Sequence, residues 1–124
     1  MSVRPSRARI ALVAPIDDAT TALSGYLSDA GFEVHEQWKA AAPRTFDAVI
    51  LIDARGDSRE ALHTEVRSWI ESTKSRAIVV VTPKPIMLAD LVSTYGPRLC
   101  VLPAPAFGWE LVDRIRAAAS RSAR

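Results

Sequence analysis

Phe46-Asp47-Ala48-Val49-Ile50-Leu51-Ile52-Asp53 carries an unbroken branched apolar run, stopped by a carboxylate where the turn-like Ala54-Arg55-Gly56-Asp57 begins. Strands with one wet face alternate apolar and polar residues. A strand that is apolar at every position needs cover on both faces, as in a parallel sheet flanked by helices. The C-terminal ends of such strands are where α/β folds present functional groups. Asp53 therefore falls at the expected site mouth, and its meaning depends on what accompanies it.

Similar apolar blocks recur on either side, separated by amphipathic ones, which is the signature of repeated strand–helix units. Arg9 to Ala14 reads as a first strand, stopped by Pro15. Asp17 or Asp18 can cap a helix reaching about Ala30, with Ala22, Leu23, Tyr26 and Leu27 at helical spacing and Gly31 placed to end it in the left-handed conformation. Phe32 to His35 reads as a short second strand. Between Glu36 and Thr45 only Trp38-Lys39-Ala40-Ala41-Ala42 precedes Pro43, so a second helix is expected to be shortened or missing. The third strand is Phe46 to Ile52, followed by a helix over 58–72 that buries Leu62, Val66, Trp69 and Ile70. Ala77 to Val81 is the fourth strand, Ile86 to Thr94 a helix, Leu99 to Leu102 the fifth strand, and 107–119 a last helix with Leu111, Val112 and Ile115 inward. The expected architecture is a three-layer α/β/α sandwich, flavodoxin-like, on a five-stranded parallel sheet of order 2-1-3-4-5.

A length of 124 residues suits one domain with one core. We divide it into a disordered basic N-terminus (1–8), a folded domain (9–119) and a short tail or linker (120–124). With 48% hydrophobic and 24% charged residues the chain has the composition of a soluble globular protein. The net charge of +2 comes mainly from the ends, Arg4, Arg7 and Arg9 before the domain and Arg121 and Arg124 after it. Solvated termini explain these better than a nucleic-acid partner does. Cys100 is the single cysteine and lies inside Leu99-Cys100-Val101-Leu102, which excludes a disulfide framework and fits a core position. No apolar segment approaches the ~18 residues of a membrane span, and the N-terminus lacks a signal-peptide core, so a cytoplasmic setting is expected.

From about Arg9 to Ala119 the sequence resembles the receiver domain of bacterial response regulators. The resemblance is carried by the intervals between Asp53, Thr82 and Ala104-Pro105 at the ends of successive strands, and by Trp109-Glu110-Leu111-Val112-Asp113-Arg114-Ile115 in the last helix. It implies that Asp53 occupies the phospho-acceptor position and Thr82 that of the hydroxyl switch residue. It also implies that the acidic pair that holds the family's metal falls on Ala14 and Pro15, the lysine on Ala104 and the aromatic switch on Val101. Transfer of an anionic phosphoryl group needs a metal ion and a cation to neutralise developing charge, and methyl groups supply neither. Asp47 also stands one residue further from Asp53 than is usual in the family.

The resemblance therefore implies a pseudo-receiver: a domain without catalytic residues, metal or cofactor that acts through protein contacts as an adaptor or regulator. Its partner would be a kinase, effector or scaffold, or a second copy bound through the family's fourth helix, fifth strand and fifth helix. One alternative is a working receiver phosphorylated on Asp53, with an atypical magnesium site built from Asp17 or Asp18, which helix capping explains more simply. Another is a small-ligand-binding flavodoxin-like domain.

Other chemistries are weakly supported. Five glycines scattered singly form no phosphate cradle. His35 and His63 have no neighbouring ligand cluster in sequence. Cys100 lies within a strand rather than at a helix N-terminus that would activate it. Trp38 and Trp109 are the candidate interaction residues, since tryptophan is favoured in contact hot spots. Arg55, Arg59 and Lys84 are placed to line the Asp53 mouth.

Overall fold

The computed structural model describes residues 9–14, 18–37, 46–53, 59–72, 77–104 and 108–122. Five strands, β1 (Arg9–Val13), β2 (Glu33–Gln37), β3 (Ala48–Ile52), β4 (Ala77–Thr82) and β5 (Leu99–Pro103), form one parallel sheet of order β2-β1-β3-β4-β5. The α-helices of the described residues are α1 (Asp18–Asp29), α2 (Arg59–Ser72), α3 (Ala89–Tyr95) and α4 (Gly108–Ser122). The last helix runs three residues beyond its expected end. Whether a second helix is shortened or missing between β2 and β3 turns on residues 38–45, which lie outside the described residues.

The apolar run of β3 divides between two cores because successive side chains point to opposite faces. Ala48 and Ile50 join Ile10, Leu12, Val79 and Val81 beneath α1 and α4, which contribute Leu27, Leu111, Val112 and Ile115. Val49 and Leu51 join Ala11, Val13, Ile78 and Val80 beneath α2 and α3, which contribute Leu62, Val66, Trp69, Ile70 and Leu91. Cys100 is partly buried against the first core and Val101 against the second.

Phe46 is buried between the His35 and Trp69 rings, with the Arg9 guanidinium over its face. Asp47 ties the start of β3 to β1: its N–H donates to the Arg9 carbonyl (2.8 Å), and its carboxylate accepts from the Arg9 N–H (2.7 Å). The Arg98 guanidinium donates to the Ile70 carbonyl (3.2 Å) and so satisfies an end group of α2.

Two expectations need correction. Ala22 and Tyr26 do not share the buried stripe of α1: Leu23, Leu27 and Thr20 meet the sheet, while Ala22 and Tyr26 are exposed. Each residue turns the helix by about 100°, so an apolar set covering both 22/26 and 23/27 is wider than one sheet face can bury. The helix expected over Ile86 to Thr94 is broken in two, because Pro85 opens a 3-10 turn (Pro85–Leu88) before α3 begins. Gly31, with φ of 102°, does end the α1 turn as expected, its N–H donating to the Ser28 carbonyl (3.0 Å).

Ile50 is fully buried whereas Ile86 is 83% exposed. Ile50→Ala is expected to cost about 2–5 kcal/mol in urea denaturation, and Ile86→Ala to stay within about 0.5 kcal/mol of the parent.

Candidate functional site

β3 and β4 end side by side, and their last residues form the site. The Asp53 N–H donates to the Val81 carbonyl (2.8 Å), continuing the β3–β4 ladder one position past Ile52. That places the partly exposed Asp53 side chain beside Thr82, whose hydroxyl donates to Asp53 Oδ2 (2.9 Å). Thr82 is fully buried, so its hydroxyl needs partners inside the protein. It finds them in Asp53 and in the Lys84 N–H, which donates to Thr82 Oγ1 (3.3 Å). The Ala104 N–H donates to the Thr82 carbonyl (2.9 Å) and brings the end of β5 against the same residue.

The structure thus brings together Asp53, Thr82 and the backbone of Ala104, three positions singled out in the sequence. Ala14 follows β1 directly and is buried, one place beyond the Val13–Leu51 pairing. Methyl groups stand at positions 14 and 104. Asp18 opens α1 as an exposed first-turn residue. Val101 sits mid-β5, paired with Val80. Trp109 lies in the first turn of α4 and is exposed, as expected. Pro15, Asp17, Trp38 and Arg55 lie outside the described residues. Among the described residues no group of three or more histidine, cysteine or acidic side chains is arranged to hold a metal.

Arg59 is placed differently from the expectation that it lines the Asp53 mouth. Together with His63, one turn further along α2, it reaches Asp90 on α3: His63 Nε2 lies 3.0 Å from Asp90 Oδ1 and an Arg59 guanidinium nitrogen 3.5 Å from Oδ2. The sequence reading did not find this cluster. The pairing of Arg59 and His63 on one helix face is visible in sequence, but Asp90 belongs to another element and only the packing of α2 beside α3 supplies it. The His63 hydrogen bond is the main cause that holds the Asp90 carboxyl below its ordinary value, and the nearby His63 and Arg59 charges act in the same direction.

No family model matches the sequence, and no curated protein matches it. Solved structures do. The chain is similar to a CheY-like response regulator receiver domain protein from Methanospirillum hungatei JF-1, with a TM-score of 0.68 and 15% identity over 94% of this chain and 96% of that one. It is similar to the signal receiver domain of an HD domain-containing protein from Pseudomonas fluorescens Pf-5, with a TM-score of 0.66 and 22% identity over 94% of this chain and 97% of that one. A response regulator receiver protein from Sinorhizobium medicae WSM419 matches with a TM-score of 0.59 and 18% identity, over 90% of this chain and 94% of that one. The chain has the receiver fold, a CheY-like flavodoxin arrangement, across nearly its whole length.

Three outcomes follow from this geometry. Thr82→Val keeps the shape and removes both hydroxyl bonds, and is expected to destabilise the domain by about 1–3 kcal/mol. In a double-mutant cycle with Asp53→Ala the two positions should couple by about 1 kcal/mol, and additivity would remove the bond from the account. Because the folded-state pKa of Asp90 is lowered, its contribution to stability is present above its ordinary value of 3.8 and is lost as pH falls through the lower folded value. Asp90→Asn should therefore lose less stability than the parent when chemical denaturation is repeated from about pH 5 down to about pH 3.

Proposed function

We propose that this chain is a pseudo-receiver signalling domain that operates without aspartyl phosphorylation and acts by binding other proteins, as an adaptor or regulator. The observation that carries this reading is the Asp53–Thr82 pair flanked by Ala14 and Ala104. The carboxylate accepts a hydrogen bond from a buried hydroxyl, while the neighbouring positions that in the resembling family bear a metal-binding acid and a lysine bear methyl groups. Without a divalent cation and a fixed ammonium, the developing charge of phosphoryl transfer has nothing to neutralise it. The pair is then a fastening between β3 and β4 rather than a reaction centre.

The partner surface in this proposal is the face built from the Pro85–Leu88 turn, α3, β5 and α4. Ile86 is 83% exposed there, Val92 is exposed, and Met87 is partly buried. Exposed apolar side chains on the turn and helix of this face suit contact with another protein. The partner would be a kinase, effector or scaffold protein met in the cytoplasm. No helix among the described residues is long and apolar enough to cross a membrane.

Incubation with a small-molecule phosphodonor and Mg²⁺, followed by intact-mass measurement, is expected to leave the mass unchanged. A phosphoryl adduct that disappears in Asp53→Asn would overturn the proposal in favour of a working receiver with an unusual metal site. Thermal stabilisation by a nucleotide or flavin at concentrations well above Kd would instead favour a ligand-binding role.

A further inference from the structure

The two edges of the sheet differ. β5 ends in Pro103, which has no N–H to offer, and the Pro85–Leu88 turn and α3 pack beside that strand. β2 forms the other edge and, among the described residues, pairs with β1 alone, so the backbone groups on its outer side meet no strand.

Charges on an edge strand usually keep a second strand away. Those of β2 are placed so that a second β2 is attracted. Glu33 and His35 are two residues apart and share one face of the strand. The half-exposed Glu33 carboxylate stands 3.1 Å from Arg9 Nε and 3.3 Å from His35 Nε2. Val34 points to the other face and is partly buried on the core under α1 and α4. When two β2 strands run antiparallel about Val34, each Glu33 lies opposite the His35 of the other copy, and the two Val34 residues meet at the centre. Glu36 falls opposite Phe32, which is buried in its own core, so no carboxylate opposes another. Centring the strands on His35 instead opposes two imidazoles and loses both complementary pairs.

The helix above this edge does not oppose the contact. α1 lies against β2 and α4 against β4, on the same face of the sheet. The Tyr26 ring packs against Gly108, so that flank of α1 faces α4. Ser24 and Ser28, two residues to either side of Tyr26, fall on the opposite flank, toward the β2 edge. Asp18 and Asp29 fall on the Tyr26 side. Two α1 helices brought together by joined β2 edges therefore face each other with small uncharged side chains.

We propose that two copies of this chain join through antiparallel β2 edges into one continuous sheet, with the two-fold axis at Val34. Such an isologous contact uses the Glu33–His35 pair twice. It lies at the opposite edge of the sheet from β5 and shares no residue with the Ile86 face. It stands whether or not Asp53 accepts phosphate.

Sedimentation of the full chain from about 1 μM to about 1 mM tests this. A concentration-dependent dimer is expected. Glu33→Lys and His35→Glu should each raise its Kd by about tenfold or more, because each sets like charges opposite one another twice. The two substitutions together restore opposite charges and should bring the dimer back, with thermal melting showing that each variant is folded. Ile86→Asp should leave the dimer unchanged. Amide hydrogen exchange on the unsubstituted chain gives a second measurement: protection of residues 33–37 should rise with concentration while that of α3 and α4 does not. A chain that stays monomeric throughout overturns the proposal. So does a dimer that forms without added protection in β2, that survives both single substitutions, that the double variant fails to regain, or that Ile86→Asp disrupts.

Discussion

The need to cover both faces of β1, β3 and β4 constrains everything else in this domain. Those three strands are apolar at nearly every position, so neither face can meet water without exposing several branched side chains. Two helical layers follow, and with them the parallel connections that return the chain over the sheet. The site follows too. Because the strands run the same way, Asp53, Thr82 and Ala104 arrive at the same edge, and their backbone groups continue the ladders past the last apolar pair.

At that edge the burial of Thr82 has a chemical consequence. A hydroxyl with no access to water must place its proton on an acceptor, and the Asp53 carboxylate is within reach. The carboxylate in turn gains a donor at the end of the strand. The two residues therefore have a structural use: they fasten the end of β3 to the end of β4.

The helices differ in how completely they are used. α2 presents an apolar stripe that the sheet absorbs and ties itself to α3 through Arg59, His63 and Asp90. α1 carries more apolar surface than the sheet can accept. Its remainder, Ala22 and Tyr26, stays exposed, with the Tyr26 ring against Gly108 of α4.

The sequence by itself determined the alternation of strands and helices, the parallel sheet, the burial of Val66 and Trp69 and the placing of Asp53 and Thr82 at strand ends. These depend on period and on local stop signals, which residues a few places apart encode. The tertiary structure alone decided that Thr82 donates to Asp53, that Arg59 turns to Asp90 and that Tyr26 and Ala22 remain outside. Each of these depends on which surfaces meet at distances the chain does not record. A carboxylate takes the donor that packing delivers, and a helix buries only the arc of its apolar face that the neighbouring sheet has room to cover.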